Sequence, residues 1–86
     1  MPTLSFFYGI KILMYWTDHP PPHFHAEYGE FEGVYAIATL LKIAGQMPRG
    51  AELLVLEWAR EHQQELMEAW NLCSKQIPPS KIPPLP

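Results

Sequence analysis

His23-Phe24-His25-Ala26-Glu27-Tyr28-Gly29-Glu30-Phe31 is the stretch whose reading decides the fold. Its first six residues alternate as a half-buried strand does, with Phe24, Ala26 and Tyr28 on one side and His23, His25 and Glu27 on the other. Gly29-Glu30 then fits a two-residue hairpin loop with glycine first, the type II′ preference. The return strand runs from Phe31 to Thr39, with Gly33 as a weak point near the hairpin end. In this register Tyr28 faces Phe31, Glu27 faces Glu32 and His25 faces Val34.

Upstream, Asp18-His19-Pro20-Pro21-Pro22 separates the hairpin from two earlier strands, because three prolines cannot donate ladder hydrogen bonds. Thr3 to Tyr8 is short and aromatic, as strands often are. After Gly9, Ile10, Ile12, Met14 and Trp16 share one face, while Lys11, Leu13, Tyr15 and Thr17 share the other. Downstream, Pro48 opens a helix, since proline in the first turn loses no intrahelical bond. No Pro or Gly other than Gly50 interrupts it before Ser74. Ala51, Val55, Trp58, His62, Leu66, Ala69 and Cys73 fall on one stripe at 100° per residue. Such a helix is roughly 40 Å long, so its end should overhang the sheet. The tail from Gln76 to Pro86 contains Ile-Pro-Pro twice, at 77–79 and 82–84. Pro83-Pro84-Leu85-Pro86 is formally a PxxP, and docking of the arm on its own sheet is its expected role. The expected fold class is α+β, an antiparallel sheet of about four strands packed against one long C-terminal helix. Residues 1–76 form the single domain and 77–86 an extended proline-rich arm.

Composition sets limits on partners. At 86 residues, 48% hydrophobic and 17% charged, the chain has room for one small core and little disorder. Its net charge of −3 counts against nucleic acid as a partner. A single cysteine, Cys73, forms no internal disulfide and points to a reducing cytoplasm. The start lacks a basic segment followed by an apolar run, and no stretch approaches the roughly 18 apolar residues of a membrane span. Eleven aromatic residues exceed what one helix can cover. Leu13, Tyr15, Tyr35 and Ile37 are therefore candidates for a second apolar surface, covered by a homodimer partner or by the tail. Self-association is the favoured reading, against an exposed tyrosine-rich face.

His19, His23 and His25 make an unusual cluster. His23, His25 and Glu27 project from one strand face, the order of a two-histidine, one-carboxylate site for a divalent metal such as zinc or manganese. Glu27 and Glu32 lie opposite each other in the hairpin, a repulsion that a bound cation would reverse. Glu32 is thus a weaker donor or a base. An extended triple-proline segment puts His19 about 12 Å from His23, whereas a shared tetrahedral ion wants roughly 10–11 Å. A cis peptide would close that gap, which leaves His19 an optional ligand. The competing view is structural, with imidazoles capping backbone groups while Asp18 and His19 organise the proline bend. His62, on the helix stripe, reads as a satisfied core histidine. The sequence has no phosphate-cradling glycine loop, Cys-x-x-Cys or HExxH motif.

Met1-Pro2-Thr3-Leu4-Ser5, Met14-Tyr15, and above all Asp18-His19-Pro20-Pro21-Pro22-His23-Phe24-His25-Ala26 resemble the small bacterial proteins of domain-of-unknown-function family 4160. Leu56-Glu57-Trp58-Ala59, His62 and Glu68-Ala69-Trp70 resemble that family's helix. The resemblance implies a component of a compact two-gene locus, of a kind suspected of toxin–antitoxin roles, with a small protein from the same locus as partner. No reaction comes with it. The leading expectation is a cytoplasmic protein-interaction module. The rival is a divalent-metal-dependent hydrolase or nuclease using His23, His25 and Glu27.

Overall fold

The computed structural model describes residues 2–86. Five strands, β1 (Thr3–Phe7), β2 (Ile10–Leu13), β3 (His23–Tyr28), β4 (Phe31–Ala36) and β5 (Lys42–Gln46), pair antiparallel in chain order. Two helices follow, α1 (Arg49–Glu61) and α2 (Gln63–Ser74). The β3–β4 hairpin has the expected register, with Tyr28 opposite Phe31, Glu27 opposite Glu32 and His25 opposite Val34. Gly29 supplies the left-handed conformation at φ +59°, and Glu30 does not share it, as a type II′ loop requires.

The fold is α+β as expected, but it differs from the expectation at two places. The sheet has five strands rather than four. β4 stops at Ala36, where the Leu40 N–H bonds back to the Ala36 carbonyl at 2.8 Å, and the chain returns as β5. All five residues of β5 are exposed, so no buried face imposes alternation on its sequence. Gly45, at φ +78°, lies so close to β4 that a Cβ there would be 2.1 Å from the Glu32 carbonyl oxygen.

The long helix is also broken, at His62 (φ −127°, ψ 23°). A straight helix of about 40 Å would outrun the molecule, whose longest extent is 33 Å. At the break the His62 N–H turns to the Ala59 carbonyl, and the Gln63 amide donates to the Ile37 carbonyl at 2.8 Å. Both halves of the stripe therefore stay over the sheet, with Ala51, Val55 and Trp58 buried in α1 and Leu66, Ala69 and Cys73 in α2.

Beneath the helices Phe24 stacks on Tyr35 at 5.5 Å and meets Trp58 edge-on at 6.2 Å. Leu4, Ile10, Ile12 and Ala26 complete this layer. Each large apolar side chain buried there is worth about 1.5–3 kcal/mol. Gly33 is where the Tyr35 ring lies across β4, 2.9 Å from the position a Cβ would take. Tyr35 sits opposite Phe24 in the ladder and so shares its face. The Tyr35 hydroxyl donates to Glu52 at 2.8 Å, and Lys42 pairs with the same carboxylate at 3.3 Å.

These placements correct the expected second apolar surface. Leu13, Tyr35 and Ile37 are buried within the single chain, and Tyr15 alone of the four keeps partial exposure. The tail lies against the β1 side of the domain. Ile82 enters the core and donates its N–H to the Leu4 carbonyl at 2.8 Å. Among the described residues no helix is long and apolar enough to cross a membrane.

Candidate metal centre

Alternation along β3 sends Phe24 under the helices and His25 to the opposite face, where Leu13 lies across from it. The Tyr15 ring meets the His25 ring edge-on at 4.4 Å. His23, at the start of β3, is flanked by His25 at 5.3 Å and by Trp70 of α2 at 5.2 Å. The turn after β2 reverses the chain. Thr17 adopts φ +48° and its N–H reaches the Cys73 carbonyl, while the Pro20–Pro21 peptide is cis. Within this turn Asp18, rather than His19, comes back to the strand.

One Asp18 oxygen, Oδ1, accepts the His19 N–H at 2.8 Å. The other, Oδ2, lies 2.9 Å from His23 Nε2 and 3.4 Å from His25 Nε2. On the far side of each ring Nδ1 faces a second acceptor, the Pro21 carbonyl at 2.7 Å for His23 and Glu32 Oε2 at 3.1 Å for His25. A carbonyl or a carboxylate oxygen accepts only, so both Nδ1 atoms carry protons and both Nε2 atoms converge on Asp18. Each Nε2 then needs either its own proton or a cation beside it. The side chains of His23, His25 and Asp18 are only 10%, 12% and 22% exposed. Little water is present to take over these bonds.

Burial pushes the Asp18 carboxyl upward, but hydrogen bonds from the His19 N–H and from the His25 and His23 rings outweigh it and hold the group below the usual carboxylate value. Tyr15 is shifted upward, first by burial and then by the carboxylates of Glu32, Glu27 and Asp18. The open face therefore has a negative field around its histidines.

Among the described residues, Asp18, His23 and His25 place one ligand atom each within 4.8 Å of one another. His23 and His25 meet as the sequence suggests, but the carboxylate between them is Asp18. Glu27 lies across from Lys11 and Glu32 on the same face, outside this group. Glu32 orients His25 from behind. His19 is exposed and contributes only its backbone N–H. His62 bonds the Glu65 carboxylate and packs on Trp58. The signal for Asp18 was its position at the head of the proline run, where a folded-back turn returns its side chain to the following strand.

Fold and site together define a small α+β protein with a two-histidine, one-carboxylate cluster where the proline turn meets the start of β3, His25 facing away from the core and His23 against Trp70 of α2. The chain matches the model of the domain of unknown function DUF4160 over residues 9–71, and it belongs to that family. No curated protein and no solved structure matches it significantly.

Proposed function

We propose that this chain is a small divalent-metal protein in which Asp18, His23 and His25 hold one ion on the open sheet face. The direction of the hydrogen bonds carries this reading. Both rings commit their Nδ1 protons to fixed acceptors, which aims both Nε2 atoms at one carboxylate oxygen. This is the arrangement by which outer partners orient metal-ligating histidines. With metal–ligand bonds near 2.1 Å, neighbouring donors sit about 3.0 Å apart around an octahedral ion and about 3.4 Å apart around a tetrahedral one. The Asp18 contacts of 2.9 and 3.4 Å match these spacings for manganese or zinc, while the three donor atoms as a set lie within 4.8 Å of one another, so the two rings would close in around an ion. Three protein donors leave positions for water and substrate, and activation of that water for hydrolysis is the chemistry a Lewis-acidic ion would support there.

The test is metal analysis of untagged protein. About one ion per chain is expected in wild type and in Glu27→Gln, with loss in Asp18→Ala and His25→Ala. Failure of zinc and manganese to bind, or to raise the melting temperature, overturns the reading. At a hundredfold excess over Kd a bound ion should add about 2.7 kcal/mol of stability.

A second reading, a cytoplasmic interaction module paired with a small protein from the same locus, draws on β5. Its residues are all exposed, Ile43 is 49% accessible and the adjoining Leu41 65%. An uncovered strand edge of this kind invites pairing with another chain. Copurification from the native locus should recover the second protein, and recovery of monomer alone counts against this reading.

A further inference from the structure

The Trp58 indole N–H donates to the Pro83 carbonyl at 2.8 Å, and the Tyr8 hydroxyl donates to the main-chain oxygen of Pro86. These acceptors are three residues apart, one turn of a polyproline II helix, and they bound the Pro83-Pro84-Leu85-Pro86 motif. Just ahead of them Ile82 is 4% exposed in the core, with its N–H bonded to Leu4. Prolines have no N–H, so a proline-rich segment presents carbonyls alone along its backbone. Aromatic side chains that combine a flat apolar ring with a polar donor are suited to reading it. Here two such donors hold one turn of the segment, and a buried seat holds the isoleucine before it.

We propose that the surface formed by Trp58, Tyr8 and Leu4 is a recognition site for an extended Ile-Pro-Pro-x-Pro segment, held by the chain's own tail, and that its occupant in trans is the tail of a second copy. The segment that fits is this chain's own sequence, so an exchanged pair repeats every contact of the monomer. The tether leading to it is tied to the end of α2 by the Ile77 N–H, which donates to the Leu72 carbonyl at 2.9 Å. Beyond that bond residues 78, 80 and 81 are exposed, and a cavity of about 130 Å³ lies between α2 and residues 79–82. The chain also carries Ile-Pro-Pro at 77–79, where Ile77 is 46% exposed, but Lys81 stands there where the seated segment has Pro86, so only 82–86 carries the full motif. The inference is independent of the metal centre, with which this seat shares no residue.

A tethered tail competes at an effective concentration of about 1 mM, so exchange should emerge as the protein approaches that range. Sedimentation of the full chain from about 10 µM to about 1 mM should pass from monomer to dimer. Excess synthetic peptide covering residues 80–86 should return the dimer to monomer. In NMR spectra of labelled wild-type protein, that peptide should move the Ile82 and Leu85 amide signals to free-chain positions. The Trp58 indole signal should stay where the tail holds it. Ile82→Asp should be monomeric at every concentration, and the wild-type peptide experiment stands even where that variant fails to fold. Monomer throughout, dimers that persist in Ile82→Asp, tail signals unmoved by excess peptide, or peptide exchange without dimerisation would each overturn the proposal.

Discussion

The two faces of the sheet are held together in different ways. On the covered face Phe24, Tyr35 and Trp58 pack as rings, and their partners come from distant parts of the chain. On the open face Asp18, His23, His25 and Glu32 are held by directed bonds, three of them from one short stretch of sequence. Packing tolerates changes that conserve volume, whereas a directed network fails when one acceptor is removed. The covered face should therefore decide whether the protein folds, and the open face what it binds.

The largest effect should come from the covered face. Trp58→Ala removes the ring that Phe7 and Phe24 both touch and should cost about 3–5 kcal/mol in urea unfolding. Asp18→Ala should cost less, about 1–3 kcal/mol, because it leaves two sheltered Nε2 atoms without their acceptor. It should also abolish metal uptake, which Trp58→Ala would affect only by unfolding the chain. If Asp18→Ala proves as damaging as Trp58→Ala, the contrast between the faces fails.

Tyr35→Phe sharpens the contrast from within the core. Losing the bond to Glu52 should cost about 0.5–1.5 kcal/mol at neutral pH. Burial first, then the Glu52 hydrogen bond and charge, hold the Tyr35 hydroxyl well above its ordinary value of 10.0. A folded-state value raised in this way stabilises the fold fully below the unfolded tyrosine value, and the contribution is lost as pH climbs beyond it. Wild type should therefore lose stability between pH 9 and 11 more steeply than Tyr35→Phe, as denaturation midpoints would reveal. The smallest effect belongs to Glu27→Gln, which removes the repulsion with Glu32 together with the attraction to Lys11 across from it, and should change stability by a few tenths of a kcal/mol at most. It should leave metal content unchanged, and loss of metal in this variant would return Glu27 to the donor set.

What was legible in the sequence follows the same division. Alternation from His23 to Tyr28 and the glycine-first loop fixed the hairpin register, because each residue there has one face to bury. Pro48 marked the helix start within a residue. β5 gave no such signal, since all its side chains are exposed and it owes its place to pairing with β4. The break at His62 was hidden for a related reason: helical periodicity carries no information about where the sheet ends. Tyr35 and Ile37 looked like a surplus surface because counting aromatics does not reveal that the Tyr35 hydroxyl reaches Glu52 of α1 and that Gln63, just after the helix break, bonds the Ile37 carbonyl. The two histidines were readable from spacing, but Asp18 was not, since an extended proline run carries it away from β3 and only the folded-back turn returns its carboxylate to the rings.

All the donors of the candidate centre fall between positions 18 and 25. Inserting or deleting one residue among the prolines would alter the reach of Asp18 while leaving the rings on β3 where they are. Such an indel would yield a well-folded, metal-blind protein, whereas most substitutions elsewhere in the chain could drift without disturbing the centre's geometry.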